Sequence, residues 1–141
     1  MTLENLLGTA LESIHKDSAN IDRLISAAQR SLADAQLTQM SNEGRFDMAY
    51  KSIMQAANAA LQANGFRTLT SKPGHHMTMI QTLPTTIGLD RQFMITLDGL
   101  RKLRNLSDYS GDPVSGAMAN EAVEYALRLL GEVESWIAVH R

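Results

Sequence analysis

Apolar residues recur at three- and four-residue steps along almost the whole chain, and no stretch alternates at period two for long enough to propose a strand. That pattern predicts an all-α protein. A first helix is expected over about 3–15, where Leu3, Leu6, Leu7, Ala10, Leu11 and Ile14 share one side. A second is expected over about 19–37, with Ile21, Leu24, Ile25, Ala28, Leu32 and Ala35 on its apolar face and Asp17 or Ser18 as its cap. Ser41-Asn42-Glu43-Gly44 breaks the pattern. A third helix then carries Phe46, Ala49, Tyr50, Ile53, Met54, Ala57, Ala60 and Leu61 to a stop at Asn64-Gly65, where glycine suits the left-handed position that closes helices. Its alanines let a neighbouring helix approach closely.

Residues 66–74 read as a loop, with Ser71-Lys72-Pro73-Gly74 as its turn. A short helix over about 75–87 follows, weakened by Pro84, and Gly88-Leu89-Asp90 restarts the chain into a fifth helix ending near Ser107, with Asp90 as its cap. After Ser110-Gly111-Asp112-Pro113 a last helix spans about 115–139, with Val123, Ala126, Leu127, Leu130, Val133, Trp136 and Ile137 facing inward and Trp136 as its anchor. No repeat, linker or low-complexity segment divides the chain. Residues 1–141 are therefore expected to form one domain, an up-and-down helical bundle of four to five main helices plus a short helix, with the segment 3–15 as an accessory element.

At 141 residues and 44% hydrophobic, the chain has the size and composition to bury a core. Thirteen Lys plus Arg against fifteen Asp plus Glu give a net charge of −2, which excludes the uniformly basic coat of non-specific DNA binders. Any nucleic-acid contact must then be a local patch. The absence of cysteine excludes disulfides and thiolate metal sites. No apolar run reaches the length of a membrane span, and Met1-Thr2-Leu3-Glu4-Asn5 lacks the basic flank of a signal peptide, so a cytoplasmic protein without membrane contact is expected.

Candidate chemistry concentrates in Leu100-Arg101-Lys102-Leu103-Arg104-Asn105-Leu106-Ser107-Asp108-Tyr109. On a helix Arg101, Arg104 and Asn105 share a face while Leu100 and Leu103 turn towards the core. Such a donor-rich face suits phosphate, carboxylate or an acidic partner, because guanidinium forks pair with these groups bidentately. The plainer reading is a solvated helix end whose cations favour the macrodipole. Asp108 can act as proton acceptor or as the salt-bridge partner of Arg104 four residues earlier. His75 and His76 are neighbours, so on a helix their rings diverge by about 100°, and neither a shared metal ion nor a cofactor is expected. One of them packs or caps the short helix, or else Arg67, Lys72, His75 or His76 folds over the Arg104 face and completes an anion site. Tyr50 reads as a core residue with a bonded hydroxyl, with the Arg104 region as an alternative reach. Met77, Met79 and Met94 read as gap fillers.

Taken in order, Arg45-Phe46-Asp47-Met48-Ala49-Tyr50, Ala56-Ala57-Asn58-Ala59-Ala60-Leu61, Gly65-Phe66-Arg67, Gly74-His75-His76 and Arg101 to Tyr109 resemble the HEPN superfamily (higher eukaryotes and prokaryotes nucleotide-binding), especially its small prokaryotic stand-alone members. The resemblance covers about 18–139. It implies a helical bundle, frequent homodimers, and pairing with a cognate nucleotidyltransferase in toxin-antitoxin modules. Active members are metal-independent RNases whose motif is an arginine, a polar residue and, a few residues on, a histidine. Histidine supplies proton transfer near neutrality and the cation holds the developing phosphorane charge. Arg104 and Asn105 match the first two positions, but Asp108, Tyr109, Ser110 and Gly111 follow without a histidine. A phenol keeps its proton to about pH 10, so Tyr109 is a poor base at neutral pH. The expectation is therefore a non-catalytic module that binds a nucleotide, RNA or a partner protein through Arg101, Arg104, Asn105, Asp108, His75 and His76. The alternative is a toxin-type endoribonuclease using Arg104 and Asn105 with Tyr109, Asp108 or a loop histidine. A third idea, nucleotidylation of Tyr109, follows from the same resemblance.

Overall fold

The computed structural model describes residues 2–140. Helices make up 71% of the described residues, and the only sheet among them is a two-stranded ribbon, which fixes the class as all-α. The main helices are α1 (Ser18–Ala35), α2 (Asn42–Ala63), α5 (Arg91–Ser110) and α6 (Gly116–His140), with two short helices, α3 (His75–Gln81) and α4 (Leu83–Thr86), between α2 and α5. Among the described residues no helix is long and apolar enough to cross a membrane.

Caps set the helix starts. Asp17, rather than Ser18, accepts the Asn20 amide at 3.2 Å, Ser41 accepts the Gly44 amide at 3.0 Å, and Asp90 accepts the Phe93 amide at 3.2 Å. Ser115 accepts the Met118 amide at the start of α6. At the end of α2, Gly65 takes φ +87°, the left-handed conformation expected of it. The helix expected over 75–87 is split at Thr82, with Pro84 in the first turn of α4.

α2 is the central element, and α1 and α6 pack along it. Its alanines explain the fit: Ala49, Ala56, Ala57, Ala59 and Ala60 are all buried, so no long side chain holds the neighbouring backbones apart. Phe46, Ile53 and Leu61 fill the remaining core with Leu129 and Val133 of α6. Polar groups at this interface are matched. The fully buried Ser52 hydroxyl donates to the Ala28 carbonyl at 2.8 Å, and Arg45 bridges the Ala35 carbonyl and Asn120. The Glu43 carboxylate accepts from the Val114 amide at 3.2 Å, which pins the connection between α5 and α6; its own backbone amide first, and then that of Val114, hold its carboxyl below the usual range.

The N-terminal expectation is overturned. Residues 3–15 form no α-helix; Glu4–Leu6 make a single 3₁₀ turn and Leu11–Ser13 form strand β1, which pairs antiparallel with β2 (Phe66–Thr68) in what the sequence presented as a loop. Gly8 lies at φ +83°, a conformation no helix interior permits, and Leu7 is left exposed. What docks the ribbon is Leu11, which is completely buried and contributes about 2 kcal/mol. The Arg67–Glu12 ion pair across the ribbon is exposed on both sides and contributes less than about 1 kcal/mol.

Two further inward assignments fail. In α6 Leu127 is exposed, whereas Val123 and Trp136, though only partly buried, do pack against the core. In α5 Leu100 is buried, but Leu103 points to solvent together with Ile95 and Leu106, leaving an apolar row on one side of the helix.

Candidate functional site

An open cleft of about 530 Å³ lies between α2, α3 and α5. From α2, Asp47, Tyr50, Lys51, Met54 and Asn58 line it, at the three- and four-residue steps that place side chains on one helix face. From α3 come His75, His76 and Met79, and from α5 comes Arg104. The start of α3 is fixed by the Gly74 carbonyl, which accepts both the Thr78 amide and the Thr78 hydroxyl.

Tyr50 is the centre of the arrangement. Its side chain is 3% exposed, its hydroxyl lies 3.2 Å from Nδ1 of His76, and the Arg104 guanidinium sits over its ring at 4.9 Å from the centroid. A cation held on an aromatic face is oriented without spending its N–H donors. Arg104 keeps those donors. Its Nε is buried and has no hydrogen-bond partner among the described residues, and its two carboxylate neighbours stand off at 3.8 Å (Asp47) and 4.0 Å (Asp108).

The protonation states follow from the surroundings. Burial pushes the Tyr50 phenol up to about 12, against the pull of Arg104 and Arg101. His76 is lowered, first by burial and then by the positive charge of His75, Arg104 and Arg101. At neutral pH the pair is a protonated phenol and a neutral imidazole. In the tautomer with the ring proton on Nε2, the phenol donates to Nδ1. Asp47 is raised, chiefly by burial and further by Asp108 and Glu43, with Arg104 acting against them. Its carboxylate is thus a poorly stabilised counter-ion for Arg104.

The structure therefore joins Arg104, His75 and His76 in one cleft and leaves other sequence candidates outside it. Asn105 is exposed and does not line the cleft, and Tyr109 is 96% exposed beyond it. Asp108 lines an adjoining depression of about 250 Å³. Arg101 is taken up by Asp98, with Nε donating at 2.8 Å, so it acts on the cleft through its charge. Burial would raise Asp98, but the Arg101 bond, Lys102 and Gln81 outweigh it and hold the carboxyl below its usual range. Arg67 pairs with Glu12, and neither it nor Lys72 lines the cleft. His75 meets His76 edge-on at 4.7 Å. Sequence reasoning missed Asp47, Lys51, Met54 and Asn58 as site residues, although their spacing with Tyr50 was visible, and it missed Asp98 three residues before Arg101.

Among the described residues no three His, Cys, Asp or Glu side chains come together in a way that could hold a metal ion. A separate cavity of about 200 Å³ is lined mainly by apolar surface from Ile21, Ala63, Trp136 and Ile137, together with Lys16, Ser18 and His140. The chain matches no family model and no curated protein.

Proposed function

We propose that this protein is a binding module for a phosphate-bearing ligand, a nucleotide or RNA, with the phosphate on Arg104. One observation carries this reading: the Arg104 guanidinium is oriented on the Tyr50 ring with a buried, unbonded Nε, while its nearest carboxylates stay beyond hydrogen-bond distance. A phosphate oxygen is the acceptor such a fork suits best. His75 and the neutral His76 supply further polar contacts at the same mouth. The resemblance to HEPN proteins adds RNA as the ligand class, a homodimer, and a nucleotidyltransferase partner of a toxin-antitoxin pair. The exposed row of Ile95, Leu103 and Leu106 on α5 is a surface on which a second copy could pack.

A second reading, metal-independent RNA cleavage, is favoured by the placement of His76 beside Arg104. A neutral imidazole can take the proton of a ribose 2′-hydroxyl, and Arg104 can hold the charge that develops on phosphorus. Incubating the protein, Arg104→Ala and His76→Gln with total RNA in EDTA, with gel and binding readouts, separates the two. Saturable binding of intact RNA that weakens in Arg104→Ala supports the module. Cleavage lost in both variants supports the enzyme, and neither binding nor cleavage refutes both readings.

A further inference from the structure

The surroundings of Arg104 are electrostatically lopsided. On one side the adjoining depression is walled by Glu43, Asp108 and Asp112, with Asp47 lining both it and the cleft. On the other, the cleft runs past Met48, Lys51 and Gln55 into a shallow groove of about 350 Å³ between α1 and α2, which those three residues also line. Arg30 on α1 stands in that groove, which carries a single carboxylate, Asp34. Lys51 and Arg30 are both exposed, and neither forms an ion pair among the described residues. Two uncommitted cations beyond Arg104 form a track, and three carboxylates that line only the depression stand in the other direction.

We infer that the ligand is a single-stranded oligonucleotide rather than a mononucleotide, laid from Arg104 across α2 to α1, with successive phosphates on Arg104 and on the Lys51–Arg30 pair. This inference rests on the phosphate reading of Arg104 and adds its polarity and length. A polyanion leaving Arg104 towards Asp108 and Asp112 meets like charge, whereas towards α1 it meets cations. The groove floor suits a strand, because the Ser31 hydroxyl donates to the Gln55 side chain at 2.8 Å and so fixes an amide between the two cations. The His75 ring at the cleft mouth offers a face on which a base can stack.

The test compares uridine monophosphate with a uridine octanucleotide on the wild type, Arg30→Glu, Lys51→Ala and Arg104→Ala, with affinity and its salt dependence as readouts. The octanucleotide is expected to bind more tightly than the monophosphate. Arg30→Glu and Lys51→Ala should weaken the octanucleotide about tenfold, as loss of a charge-assisted contact does, and Arg30→Glu, which lies outside the cleft, should leave the monophosphate within about twofold. Each should lower the salt slope for the octanucleotide by about 0.7. Arg104→Ala should weaken both ligands. If Arg30→Glu and Lys51→Ala change neither affinity while Arg104→Ala weakens both, the track is wrong and the phosphate site stands. Equal weakening of both ligands by Arg30→Glu also overturns the track, because the cation then acts only through the general field. Failure of the wild type to bind either ligand removes the phosphate reading itself.

Discussion

Replacing Tyr50 by phenylalanine removes one oxygen and keeps the ring on which Arg104 rests. The side chain is 3% exposed and its hydroxyl has one partner, Nδ1 of His76 at 3.2 Å. No cavity opens, so the cost is that of one hydrogen bond, about 0.5–1 kcal/mol, in the lower half of the range because the half-buried imidazole can find water instead. Tyr50→Ala, by contrast, deletes the buried ring and should cost about 3–5 kcal/mol. Urea denaturation followed by circular dichroism measures both. The hydroxyl also has a pH signature. In the folded protein the phenol is pushed up to about 12, whereas unfolded it titrates near 10. Between those values the folded state holds the extra proton, so this contribution to stability is complete below pH 10 and is lost as the pH rises towards 12. The wild type should therefore lose stability relative to Tyr50→Phe across that window. A Tyr50→Phe variant as stable as the wild type at pH 7 and parallel to it from pH 10 to 12 would refute the buried, bonded hydroxyl. A loss above about 3 kcal/mol would show that the ring itself had moved.

The acid side tests the other charged groups. His76 is lowered in the folded state, so its contribution is present above about pH 6.5 and falls away as the pH drops through the lower folded value; thermal melts should show this acid loss reduced in His76→Gln. Asp98→Asn leaves the mostly buried Arg101 without its carboxylate and should cost about 1–3 kcal/mol at neutral pH in the same denaturation assay. Because the Asp98 carboxyl is depressed, the difference between wild type and variant should vanish as the pH falls below about 4. Arg67→Ala removes only an exposed ion pair and should stay within about 0.5 kcal/mol of the wild type, a bound that chemical denaturation can check.

How much of this was legible depended on range. The bundle's helices followed from local signals: Asp17 and Asp90 cap amides three residues on, the break at Ser41–Gly44 marks the start of α2, and Gly65 closes α2 on itself. The ribbon was not legible. Leu3, Leu6, Leu7, Leu11 and Ile14 fit a helical stripe, and the partner of Leu11–Ser13 lies more than fifty residues on, at Phe66–Thr68. Gly8 was the one local warning. In the site, Arg104 was visible as a cation on a patterned helix, but its setting was not. The contact between Tyr50 and His76 spans 26 residues and depends on how the loop after α2 returns α3 to the cleft. Apolar periodicity also misled, since Leu103 follows Leu100 at helical spacing but lies exposed.

The central claim is that Arg104 holds a phosphate in this cleft. The most direct measurement is the ¹⁵N–¹H resonance of the Arg104 Nε–H group during titration with uridine monophosphate. Saturable movement of that resonance, with those of Arg91 and Arg128 unmoved, is the result expected. An Arg104 signal that stays still, or that moves no more than the other two, would contradict the account.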